Sequence, residues 1–205
     1  MNNVKKALRI AFILSAFVVL YSCNPVEDDS RSPSMLIVDN ILGTDAEGTS
    51  ANFLQSDVVM TSGTIRADTA TATLRVEALD PDPLLGTSQY NDIVVTRYLV
   101  SYSRTDGKGV PGTDVPYPFE GSMSTVVRAG STSSISFVIV REVAKMEPPL
   151  IGLVDFGAEI VLACTAKVEF YGHDTANRTV KATGYLTVYF ANYADSTEAT
   201  PEATR

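Results

Sequence analysis

The sequence predicts an all-β protein, a two-sheet antiparallel sandwich of about seven strands. Three observations carry that expectation. Apolar residues recur with a period of two through most of residues 35–191. Clusters of glycine, proline and aspartate, such as Asp80-Pro81-Asp82-Pro83 and Asp106-Gly107-Lys108-Gly109, punctuate those runs. The one helix-sized stretch, Val143 to Glu147, is closed by Pro148 and Pro149.

Each strand has its own pattern. Met35 to Leu42 offers Leu36, Ile37, Val38, Ile41 and Leu42 as a first strand, and Asp57 to Ile65 reads as a short second one. Ala70 to Leu79 alternates cleanly, with Ala72, Leu74, Val76 and Ala78 facing one way and Thr71, Thr73, Arg75 and Glu77 the other. That is the signature of a half-buried antiparallel strand. Ile93 to Arg104 is apolar on both faces: Val94, Tyr98, Val100 and Tyr102 on one, Ile93, Val95 and Leu99 on the other. Ser133 to Val143 puts Ile135, Phe137 and Ile139 together. Ala158 to Tyr171 does the same with Ile160, Leu162, Cys164, Ala166, Val168 and Phe170. Val180 to Phe190 closes the unit with Val180, Ala182, Leu186, Val188 and Phe190. Pro116 to Gly121 reads as loop.

The stretch Tyr98-Leu99-Val100-Ser101-Tyr102 resembles the third strand of a fibronectin type III or related immunoglobulin-like domain, and the last two long strands resemble that family's final pair. The resemblance spans most of residues 60–191 and implies an immunoglobulin-like sandwich.

Ahead of this unit lies a different kind of sequence. Lys5, Lys6 and Arg9 precede a twelve-residue apolar run, Ile10 to Tyr21, and Leu20-Tyr21-Ser22-Cys23 follows. A basic head, an apolar middle and a small residue before the cut are the marks of a secretory signal. The run is short of the ~20 apolar residues of a spanning helix. This segment resembles a bacterial lipoprotein signal. The resemblance implies cleavage after Ser22, lipidation of Cys23, anchoring to the membrane through that lipid and, from Asn24 behind it, residence at the outer membrane. The expected organisation is a signal peptide over 1–22, a lipidated flexible tether over 23–34, the sandwich over 35–191 and a disordered tail over 192–205.

Charge and composition bound the function. Removal of residues 1–22 takes away Lys5, Lys6 and Arg9 and no acid, moving the formal charge from −8 to −11. Such a surface disfavours nucleic acid. With Cys23 lipidated, Cys164 has no disulfide partner, and its alternation with Leu162 and Ala166 places it inward as a small hydrophobe. His173 is the one histidine and sits in a turn-like Gly-His-Asp-Thr-Ala-Asn segment. Its neighbour Asp174 points to the opposite side of an extended chain and cannot orient it for catalysis. One histidine and one free thiol do not make a zinc site. No cofactor is expected.

Two candidate sites remain. Asp80, Asp82 and Asp92 lie in oxygen-rich loops that would bind calcium if they converged, since calcium takes 6–8 oxygen ligands. Tyr185 and Tyr189 alternate against the apolar face of the last strand, and Tyr171 does so on the strand before. The three could share a solvent-facing platform that binds a protein or glycan partner. The expected function is thus a non-catalytic, lipid-anchored envelope sandwich with a binding or structural role. The alternative is an envelope hydrolase using loop carboxylates such as Asp80 and Asp92.

Overall fold

The computed structural model describes residues 31–193 apart from 46–47, 60–62 and 81–85, so Cys23, Asp82 and the residues after Tyr193 lie outside it. Nine strands are present among the described residues: β1 (Ser34–Thr44), β2 (Ser50–Ala51), β3 (Phe53–Asp57), β4 (Asp68–Ala78), β5 (Ile93–Arg104), β6 (Phe119–Val127), β7 (Thr132–Val140), β8 (Leu162–Asp174) and β9 (Thr179–Ala191). They form a four-stranded sheet in the order β2-β1-β4-β7 and a five-stranded sheet in the order β3-β9-β8-β5-β6. A short helix α1 (Glu142–Lys145) and a 3₁₀ segment (Leu150–Glu159) lie between β7 and β8. Among the described residues no helix is long and apolar enough to cross a membrane.

The inward faces of both sheets fill one core. Ala72, Leu74 and Val76 of β4 are fully buried, as the alternation requires, and Ile135, Phe137 and Ile139 line β7 beside them. Cys164, Ala166, Val168 and Phe170 of β8 and Val188 and Phe190 of β9 face them, all fully buried. Tyr98, Phe137 and Phe170 meet edge-on or tilted, with Tyr98–Phe137 centroids 5.1 Å apart and Phe137–Phe170 5.4 Å apart. Each large side chain removed from water in this way contributes about 1.5–3 kcal/mol. The Tyr102 hydroxyl donates to the Ile139 carbonyl and joins the sheets inside the core, where burial pushes the phenol's pKa far up. Gly184 faces β1, and a side chain there would meet Ile41 and Val38 at 2.7 and 2.8 Å, so glycine sets the separation of the sheets at that point.

Several expectations need correction. The strand count is nine rather than about seven. The second strand is Phe53–Asp57, not Asp57–Ile65, and it pairs parallel to β9. At Gly43, which pairs with Ala51 of β2, a Cβ would lie 2.5 Å from the Phe53 carbonyl oxygen, so β3 can approach β1 there only because that side chain is missing. β6 begins at Phe119, inside the stretch read as loop. β5 carries a bulge between Val95 and Arg97. The bulge inverts its alternation, so Ile93 and Val95 join Tyr98, Val100 and Tyr102 in the core while Val94 faces out. β8 starts at Leu162, after the 3₁₀ segment, leaving Ile160 exposed instead of facing inward. Ser32 and Ser34 are buried, and Leu79 donates to the Pro33 carbonyl, so the last residues assigned to the tether pack with the sandwich. At the other end, Asn192 donates to the Val154 carbonyl at 2.6 Å and Tyr193 donates its amide to Asp57 at 3.1 Å, so both are tied down.

Candidate functional site on the outer face of the five-stranded sheet

Because side chains on a strand alternate between faces, the residues opposite the core on β9 and β8 form a solvent-facing surface. Lys181, Thr183, Tyr185, Thr187 and Tyr189 supply it from β9, and Ala163, Thr165, Lys167, Glu169 and Tyr171 from β8. The antiparallel register sets Tyr171 opposite Lys181, Lys167 opposite Tyr185, and Ala163 opposite Tyr189. Tyr171, Tyr185 and Tyr189 therefore do share one face. They are spaced four residues apart along it, about 13 Å at each step, too far to touch one another.

Their surroundings differ. Tyr171 is clamped: the Arg97 guanidinium of β5 lies 4.0 Å from its ring centroid, and the Lys181 ammonium lies 5.3 Å from it. Tyr189 packs edge-on against Phe53 of β3, with centroids 5.9 Å apart. Tyr185 is 62% exposed, with one long side chain, Lys167, directly opposite. Two of the tyrosines brace the sheet, and the third stands open between them.

Sequence patterning did not single out the charges that organise this face. Glu169 is buried beneath the lysine stems and accepts from Lys167 at 2.8 Å and Lys181 at 2.5 Å, while the Tyr171 hydroxyl donates to it at 3.4 Å. The hydrogen bonds from Lys167 and Lys181 hold its carboxyl down at about 2. Arg97 also pairs with Glu120 of β6 at 3.1 Å. The result is a charge ladder, Glu120–Arg97–Tyr171–Lys181–Glu169–Lys167, laid across four strands. The available signal was the run of charged residues at outward positions, Arg97, Lys167, Glu169 and Lys181; the pairing itself is a matter of register.

The remaining candidates fall elsewhere. Asp92 accepts the Ala129 amide at 3.0 Å and thereby pins the β6–β7 turn to the start of β5. Asp80 follows β4, Asp82 lies outside the described residues, and no group of three or more metal-binding side chains converges among those described. His173 belongs to β8 rather than to the turn, paired with Val94 and Thr179, and its Nδ1 lies 2.9 Å from the Asp174 carbonyl. Asp174 caps the β8–β9 turn by accepting the amides of Ala176 and Arg178, both at 2.9 Å. Cys164 is fully buried and free, and burial pushes its thiol up to about 11. A thiol so held is a packing group rather than a nucleophile.

No family model and no curated protein sequence matches this chain. Among solved structures, the chain is similar to a putative late embryogenesis abundant protein studied in solution. That match has a TM-score of 0.41 and 7% identity, and it covers 91% of this chain and 86% of the other. It is also similar to Spo0M, a sporulation control protein from Bacillus subtilis, with a TM-score of 0.27 and 10% identity. The second match covers 77% of this chain and 49% of Spo0M. These likenesses are too loose to carry residues or activity across.

Proposed function

We propose that this chain is a lipid-anchored domain of the bacterial cell envelope, held at the outer membrane through Cys23, and that it binds a protein partner with the outer face of its five-stranded sheet. The observation that carries the binding reading is Tyr185, a large aromatic 62% exposed in the middle of a sheet face whose other aromatic and charged side chains are mutually fixed. Tyrosine in such a setting offers apolar area and a hydroxyl at little cost in side-chain entropy, the property that enriches it at interfaces. The ladder of Arg97, Glu120, Lys167, Glu169 and Lys181 holds the surroundings in one arrangement, so a partner meets a preorganised surface. The mixed signs on this face favour a protein surface of complementary charge over an apolar one.

The finer fold reading supports the same role. We read the order β1-β4-β7 in one sheet against β9-β8-β5-β6 in the other as an immunoglobulin-like arrangement, with β3 added at the edge beside β9. In that architecture the sheet faces and end loops, rather than an interior cleft, are the surfaces left for function.

The anchoring half is tested by fractionation of cells producing the wild type and Cys23→Ser. Lipidated wild type is expected in outer membranes, with Cys23→Ser released or retained as precursor. Equal fatty-acid labelling of the two would refute the anchor. For the binding half, wild type recovered from its own membranes after crosslinking should yield a defined partner contacting β8 or β9. Crosslinks spread evenly over both sheets would refute the face.

A further inference from the structure

Apart from the sheet face, three segments meet at one end of the sandwich: residues 87–92 ahead of β5, the β6–β7 turn and the β8–β9 turn. They border an open concavity of about 1000 Å³, lined by Arg128, Thr87, Gln89, Ser131, Ser133 and Thr175 among others. The rim is built from interlocked backbone. In the 3₁₀ turn Gln89–Asn91, Ser88 and Asn91 form a reciprocal capping box, with the Ser88 amide donating to Asn91 Oδ1 at 3.0 Å. Asn91 also donates to Ser34 of β1 at 3.2 Å. Asp92 Oδ1 holds the Ala129 amide, and both the amide and the hydroxyl of Ser131 donate to the Arg128 carbonyl, at 3.1 and 3.0 Å. Thr175 donates to the Tyr90 carbonyl at 3.4 Å and links the third segment to the first.

The chemistry facing this concavity is unusual for so acidic a chain. Arg128 is exposed, and its guanidinium pairs with no carboxylate among the described residues, although five other arginine and lysine side chains on the outer faces or at strand ends do. Around it stand hydroxyls and a carboxamide. Asp92 spends one oxygen on the Ala129 amide and has the other without a partner among the described residues. An unpaired guanidinium recognises a carboxylate in two-pronged fashion. Hydroxyls, an amide and a carboxylate oxygen at the same rim are the donors and acceptors that ring hydroxyls need.

We propose that this concavity binds a carboxylated saccharide, with Arg128 taking the carboxylate and the Asp92, Gln89, Ser131 and Thr175 side chains taking ring hydroxyls. The site is separate from the Tyr185 face and does not depend on it.

The test uses the full processed protein in detergent, titrated with trigalacturonate, triglucuronate and N-acetylneuraminate, with maltotriose as the neutral control. At least one acidic probe is expected to bind and to shift the amide resonances of Arg128, Ser131 and Thr175. Binding should weaken as salt is raised and fall about tenfold or more in Arg128→Gln, whose melting temperature should match the wild type. Tyr185→Ala should bind the acidic probe as the wild type does, which keeps failure of this site distinct from failure of the sheet face. The proposal is overturned if no acidic probe binds, if maltotriose binds as well as the acids, or if Arg128→Gln binds unchanged.

Discussion

The ammonium of Lys145 stands 3.0 Å from both carboxylate oxygens of Asp68, joining α1 to the first residue of β4 at one end of the sandwich. The lysine side chain is 2% exposed and the aspartate 20%. Ser56 of β3 donates to the same carboxylate at 2.6 Å, so three elements converge on one group. Burial pushes the Asp68 carboxyl up, against the opposing pull of Lys145 and the Ser56 hydroxyl. Loss of one partner strands the other charge without water, so Lys145→Met and Asp68→Leu should each cost about 3–5 kcal/mol in urea unfolding. The double variant should recover most of that loss; simple addition of the two costs would show that the residues act independently.

Glu169 gives the fold a pH signature. Its carboxyl is held from 4.5 down to about 2 by the hydrogen bonds from Lys167 and Lys181. A depressed carboxylate contributes stability that is fully present above its unfolded value and is lost as pH falls between 4.5 and 2. Carboxyl NMR should find Glu169 still ionised at pH 3.5, and Lys181→Gln should move its midpoint upward. A Glu169 midpoint near the ordinary value in the wild type would mean that the ladder is not formed in solution.

Gly184 is a spacing residue. A valine there would drive its Cβ into Ile41 and Val38 across the core, an overpacking expected to cost about 1–3 kcal/mol. The melting temperature of Gly184→Val reads this directly, and an unchanged value would place β1 farther from β9 than described.

Cys164 should behave as a methyl-sized core group. With its thiol pushed up to about 11 and fully buried, it should resist thiol reagents in the folded protein and react on unfolding. Cys164→Ala should cost about 1 kcal/mol and leave binding intact. Fast labelling of the native protein would mean that β8 is misregistered.

How far the sequence was readable varies from strand to strand, for physical reasons. β4 and β7 were legible because one face is apolar and the other polar, the pattern a half-buried strand must have. β6 was not: its burial alternates, but its first half, Phe119 to Ser122, is mostly small or polar and follows Pro116 and Pro118, so the start of an edge strand reads as loop. β3 was displaced because its second inward residue, Ser56, is polar and is accommodated by Asp68. In β5 a single bulge at Thr96 exchanged the two faces for the first residues of the strand. At the site, alternation alone put Tyr171, Tyr185 and Tyr189 on one face. It could not reveal that Arg97 and Phe53 would occupy two of them, since those contacts depend on strand register across the sheet.

The most direct measurement compares capture of the partner by the wild type, Tyr185→Ala and Tyr171→Phe, with melting temperatures recorded for all three. Tyr185→Ala should lose about 2 kcal/mol or more of binding, roughly 30-fold, at an unchanged melting temperature, because the side chain is 62% exposed and touches little of the core. Tyr171→Phe should capture the partner as the wild type does, its ring still held by Arg97 and Lys181. Unchanged capture by Tyr185→Ala alongside a lowered melting temperature would contradict the binding face and reduce all three tyrosines to braces of the sheet.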